Sequence, residues 1–153
     1  MRILNRTDYD VDALLCDAVN AFEPDGLTVE IKYCPQGSRR YVSGTYYRRT
    51  RNYDDGRMIR IRVNRQNRYP LTIPFKTSEY FRKRTLRGEV RVYQKLVKVT
   101  LGSAEHLILA IFLHEFSHYL DHAAGRNGRY KQTKADKFAT ETLRRMGICL
   151  PPP

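Results

Sequence analysis

Residues 102–125 read GSAEHLILAIFLHEFSHYLDHAAG, and this stretch decides the fold. It opens on Gly102 and Ser103, a serine placed to accept a backbone hydrogen bond at a helix N-terminus, and closes on Gly125, which suits the left-handed turn past a helix end. Between them the chain is apolar on nearly every side from Leu107 to Leu113, which predicts a buried helix over about residues 104–124. Within it stands His114-Glu115-Phe116-Ser117-His118. Residues at i and i+4 share one helical face, so both imidazoles can converge on a single divalent ion, with Glu115 beside it. By chance an HExxH pentamer arises in well under about one chain in a hundred of this length. A helix that buries two histidines and a glutamate also carries a heavy polar cost unless something satisfies them.

Zinc binds neutral imidazole, and a catalytic zinc keeps three protein ligands and one open position. His114 and His118 are therefore the expected ligands of one Zn2+ ion. Glu115 is the expected general base, taking a proton from water and handing it to a leaving amine while the metal polarises the carbonyl. His122 continues the i+4 series but lies about 12 Å along the axis from His114, too far for one straight helix to wrap three ligands round an ion. With Asp121 it reads instead as a helix-end or substrate-side residue.

A last helix offers the third ligand. Ala135, Phe138, Ala139, Thr142, Leu143 and Met146 form its apolar stripe, with Gly147 as the stop. At about 100° per residue Gln132 and Asp136 both fall beside the stripe, and Glu141 falls on the far side. Asp136 brings the carboxylate that zinc prefers and is the expected ligand; the alternative is that it orients a ligating histidine from outside the coordination sphere. Gln132 and His122 stand as further supporting or alternative ligands. Tyr119 and Tyr130 are candidate hydroxyl donors to a developing oxyanion.

Upstream, Val11, Leu14, Leu15, Ala18, Val19 and Phe22 predict a helix behind a Thr7 cap, stopped by Pro24-Asp25-Gly26. Leu27, Val29, Ile31 and Tyr33 alternate with polar residues as a strand. A second strand is expected over residues 40–48, and Tyr53-Asp54-Asp55-Gly56 turns into a third, with Ile59, Ile61 and Val63 inward and Arg60 and Arg62 outward. Pro70 and Pro74 interrupt residues 65–89, and Val90 to Leu101 reads as one or two further strands. The expected fold is a single α+β domain over residues 1–153: an N-terminal helix, an antiparallel β-meander, the HExxH helix and a C-terminal helix.

The run from His114 to Leu120, a short Gly-containing loop, then Ala135-Asp136-Lys137-Phe138-Ala139 with Leu143 a turn later, resembles the gluzincin-like zincin metallopeptidases. It looks most like the small intracellular ones, such as the ImmA/IrrE-like and SprT-like proteins. The resemblance covers residues 103–146 by motif, and the helix-then-meander order ahead of it is similar to the compact zincin core. It implies that both histidines bind zinc, that the glutamate is the general base, and that a glutamate four residues before the Ala-Asp aspartate completes the site. Gln132 stands at that position here. SprT-like proteins use a third histidine downstream, and none follows His122, so that subtype fits less well.

With 153 residues, 41% hydrophobic, the chain can bury a core and is not disordered in composition. Its longest apolar run is far short of a membrane span, Met1 to Asn5 lacks the apolar segment of a signal peptide, and a cytoplasmic protein without membrane contact is expected. Cys16, Cys34 and Cys149 form no CxxC pair and read as reduced thiols. Lys and Arg number 28 against 16 Asp and Glu, a net charge of +12. The excess lies mid-chain. Residues 39–68 hold ten arginines against two aspartates, and residues 76–98 hold eight basic residues against Glu79 and Glu89. Arg48, Arg49, Arg51, Arg60 and Arg62, interleaved with Tyr41, Tyr46, Tyr47 and Tyr53, are candidates for DNA or RNA contact. Two function classes follow: a zinc metallopeptidase acting on protein or peptide substrates, including nucleic-acid-associated ones, or a basic nucleic-acid-binding module with a structural or degenerate zinc site.

Overall fold

The computed structural model describes residues 1–49, 56–126 and 131–148. In chain order these form β1 (Arg2–Asn5), α1 (Asp12–Ala18), β2 (Leu27–Tyr33), β3 (Val42–Tyr47), β4 (Arg57–Val63), β5 (Leu71–Arg84), β6 (Val90–Leu101), α2 (Ala104–Ala123) and α3 (Gln132–Arg145). The class is α+β, with two sheets and three helices among the described residues.

The period-two pattern sorts the faces of the main sheet as expected. Val29, Ile31, Ile59, Ile61 and Val63 are fully buried on one face. On the other, Glu30 accepts from Arg60 Nε at 2.8 Å and is approached by Arg6 and Lys32. The pairing, however, is not a meander. The strand order is β1-β2-β4-β3; β1, β2 and β4 run parallel, and only β3, at the edge, is antiparallel to β4. Alternation fixes which face a side chain takes but carries no information on which strand is its neighbour. The connection through residues 34–41 is longer than a tight hairpin, and it carries the chain past the place β4 later fills. Asn64 pins it by donating to the Ser38 and Arg40 carbonyls at 3.0 and 2.9 Å. β1 also precedes the first helix, where no strand was expected.

α1 is shorter than its apolar stripe. Its N-cap is Val11 with no side-chain cap bond, while the Thr7 hydroxyl is spent on Asn5 Oδ1 at 2.7 Å. Phe22 lies beyond the helix yet still reaches the core, meeting Phe116 edge-on at 5.6 Å and Phe138 at 6.1 Å. The α2 start is as read from the sequence: Ser103 Oγ accepts from His106 N at 3.2 Å. Gly125 takes φ +73° just past its end, and Gly147 takes +69° after α3. α2 lies across β3 and β4, and α3 packs on α2 and β5. Phe112 and Phe116 are wholly buried between these layers, and truncating either would cost about 3–5 kcal/mol.

Residues 71–101 form a second, two-stranded antiparallel sheet in which Pro74 sits inside β5 opposite Lys98. Its lower half joins the core through Phe75, Val99 and Leu101. Its upper half projects with both faces in water, and a strand without a buried face has no alternation to read. Cys16 and Cys34 are free thiols; Cys149, Arg51, Tyr53, Tyr130 and the Tyr53–Asp55 part of the expected turn lie outside the described residues. Among the described residues no helix is long and apolar enough to cross a membrane.

Candidate metal centre

α2 presents His114 toward α3 and Glu115 toward β3, because successive helical residues are turned about 100° apart. His114 Nε2 stands 3.3 Å from His118 Nε2, with the rings nearly perpendicular. Two nitrogens bound at about 2.0–2.1 Å to one tetrahedral zinc lie about 3.3–3.4 Å apart, so the pair already has the spacing of a chelate.

Asp136 stands on the other side of His114. Its Oδ1 is 2.6 Å from His114 Nδ1, and its Oδ2 accepts from the Lys76 main-chain nitrogen of β5 at 2.7 Å. A carboxylate on Nδ1 requires a proton there and leaves the Nε2 lone pair toward His118. Both oxygens of Asp136 are thus engaged away from the Nε2 pair, the arrangement of the orienting alternative. Gln132 is the α3 side chain that lines the cleft with Glu115, His118 and His122, a hollow of about 320 Å³. Among the described residues no three His, Cys, Asp or Glu side chains form a ready cation site; the convergent set is two histidines and an amide.

Burial pulls the His114 proton affinity down, but the Asp136 hydrogen bond, the charges of Glu115 and Asp136 and the Gln132 amide outweigh it and hold it above the ordinary value. Glu115 is raised, first by burial; the His114 charge and a hydrogen bond from the Tyr46 main-chain N–H pull the other way. A carboxylate held above its ordinary value is a stronger base than a free one. His122 is lowered by burial and by Arg57, Arg48 and Arg49. Kept neutral, its Nδ1 accepts from the Tyr46 hydroxyl at 2.6 Å, and burial pushes that hydroxyl up to about 12.

Tyr119 does not serve the cleft: it is buried and donates to the Asp25 carbonyl at 3.2 Å. Of the arginine candidates, Arg48 lines the cleft and borders, with Arg49, Arg57 and His122, an adjoining hollow. Arg60 is held by Glu30 and lies over the Tyr47 ring, and Arg62 pairs with Ser43 in the β3–β4 register. Three contributors were missed. Tyr46 and Lys76 act on the site partly through main-chain N–H groups, which residue type does not reveal. Gly44 was legible in principle, since a glycine inside a strand marks close approach of another element.

Comparison with protein-family models, curated proteins and solved structures finds no match to this chain.

Proposed function

We propose that the cleft is the centre of a zinc-dependent peptidase, in which His114 and His118 hold one ion through Nε2 and Asp136 orients His114. The observation that carries this is the 3.3 Å spacing of the two Nε2 atoms with a carboxylate on the far nitrogen of the first ring. Gln132, which lines the same cleft, supplies in this reading a third, neutral oxygen donor, weaker for zinc than a carboxylate. When bound, zinc supplies Lewis acidity toward a peptide carbonyl and toward water. Glu115 takes the proton from the attacking water and returns it to the leaving nitrogen. β3, the edge strand beside the cleft, is suited to pair with an extended peptide.

A structural zinc site would need the histidines but not a buried, base-poised glutamate at the cleft wall, which favours catalysis over the binding-module reading. The test is elemental analysis of the protein and of His118→Ala, with cleavage of a random peptide mixture by the protein and by Glu115→Gln. The expected result is about one zinc per chain, lost in His118→Ala, and cleavage abolished in Glu115→Gln with zinc retained. Absence of zinc after metal addition, or equal cleavage by Glu115→Gln, would overturn the proposal.

A further inference from the structure

The upper half of the β5–β6 sheet carries most of the exposed large apolar side chains among the described residues. Beyond a register irregularity between Lys76 and Tyr80, residues 80–84 pair with 90–94 and a closed turn follows, with Gly88 at φ +80° and Thr85 N donating to Glu89 O at 2.7 Å. This arm holds Tyr80 and Val92, both more than 60% exposed, and at its tip a fully exposed Leu86. Register puts Arg82 and Arg84 on one face with Val90 and Val92, and Lys83 and Arg91 on the other with Phe81 and Tyr93. Phe81 and Tyr93 stack at 5.6 Å beside Lys83, Arg84 and Leu86.

Apolar and basic side chains alternate on both faces of a projecting element, which argues against a core that failed to close and for a polyanionic partner with apolar surface inside it. Arg82, Lys83, Arg84 and Arg87 make no ion pair among the described residues, whereas Arg91 and Lys95 have exposed glutamate partners. On the main sheet, Arg60 is committed to Glu30. We propose that this arm is a DNA-binding element that enters the major groove of a B-form duplex, with Arg82, Lys83, Arg84 and Arg87 on phosphates and Leu86 toward the bases. The major groove, about 12 Å wide and 8.5 Å deep, admits a two-stranded ribbon. Five paired residues at about 3.4 Å each give an arm of about 17 Å, enough to reach the groove floor. The deep, narrow major groove of A-form RNA does not admit it. The inference does not depend on the peptidase reading.

The experiment is fluorescence anisotropy of the full chain with a labelled 20-base-pair DNA duplex, an RNA duplex of the same sequence, and a salt series. One variant carries Arg82→Gln, Lys83→Gln, Arg84→Gln and Arg87→Gln; a charge-matched control carries Arg39→Gln, Arg40→Gln, Arg68→Gln and Arg144→Gln, all exposed and outside the cleft. The arm variant is expected to lose at least about 30-fold in DNA affinity and to flatten the log–log salt slope by about 3–4, from about 0.9 per phosphate contact. The control should change affinity less than about threefold, and RNA should bind at least about tenfold more weakly than DNA. Equal losses in both variants, equal binding of RNA, or no DNA binding at 50 mM salt would overturn the proposal. An arm variant that binds DNA normally but changes from dimer to monomer in sedimentation would assign the arm to a second copy of this chain, and would also overturn it.

Discussion

A methyl group added to Gly44 would stand 3.1 Å from both Cγ and Oε1 of Glu115 and would overlap Ile111 Cγ2. The edge strand and the HExxH helix therefore touch, main chain to side chain, at the carboxylate assigned to proton transfer. Gly44→Ala must push α2 or β3 aside, and overpacking of this kind costs about 1–3 kcal/mol. Peptide cleavage is expected to fall more than thermal stability predicts, while His114 and His118, on the turns flanking the clash, keep their zinc. A melting curve, a zinc assay and a cleavage rate on one preparation check this.

Asp136 ties the ring of His114 to the main chain of Lys76. Asp136→Ala removes both bonds and should weaken zinc binding by about 10–100-fold, measured by competition with a chelating dye. Asp136→Asn, whose amide oxygen can still accept from His114, should fall between the two.

Gln132 lines the cleft beside Glu115, His118 and His122, in the place proposed for the third donor. Gln132→Glu is expected to tighten zinc binding at neutral pH, because an anionic oxygen is the better donor. An unchanged or weaker affinity in the same dye competition would remove Gln132 from the ligand position.

Removing the proposed base without touching the proposed ligands separates chemistry from binding. Glu115→Gln should lower turnover at least about 100-fold, with zinc content unchanged. Single-turnover cleavage beside elemental analysis reads both.

Asp121 is buried at the end of α2, and its Oδ1 is 2.6 Å from Lys134 Nζ on α3 and 2.9 Å from Arg126 Nε. Burial alone would raise its carboxyl, but these two cations outweigh burial and hold it below the ordinary carboxylate value. A group lowered in the folded state stabilises it above the ordinary carboxylate pKa, and that contribution fades as pH falls through the folded value. Asp121→Asn should cost about 1–3 kcal/mol at pH 7, and its deficit against the native protein should shrink as melting is repeated toward pH 3.

Much of this was legible in the residues. The Ser103 cap, the limits of α2, the stripe of α3 and the inward face of β2 and β4 follow from local periodicity and end chemistry, which depend on neighbours a few positions away. The convergence of His114 and His118 is of the same kind, because helical spacing alone brings them together. Asp136 and Gln132 were narrowed to one sector of α3 by the same geometry.

What local spacing cannot carry is the relation between distant segments. Which strand lies beside β2, that β3 is an edge, and that the segment with two prolines projects as a ribbon all depend on long-range pairing, on which side-chain alternation is silent. The engagement of both Asp136 oxygens depends on Lys76, 60 residues away, whose main-chain nitrogen donates to the second of them. The amino-acid sequence by itself determined the helices, the inward faces and the pair of histidines, since each is set within about one or two helical turns. Only the tertiary structure decided the strand order, the Asp136 partner of His114 Nδ1 and the glycine contact at Glu115, because these are made by atoms that the chain brings together only when it folds.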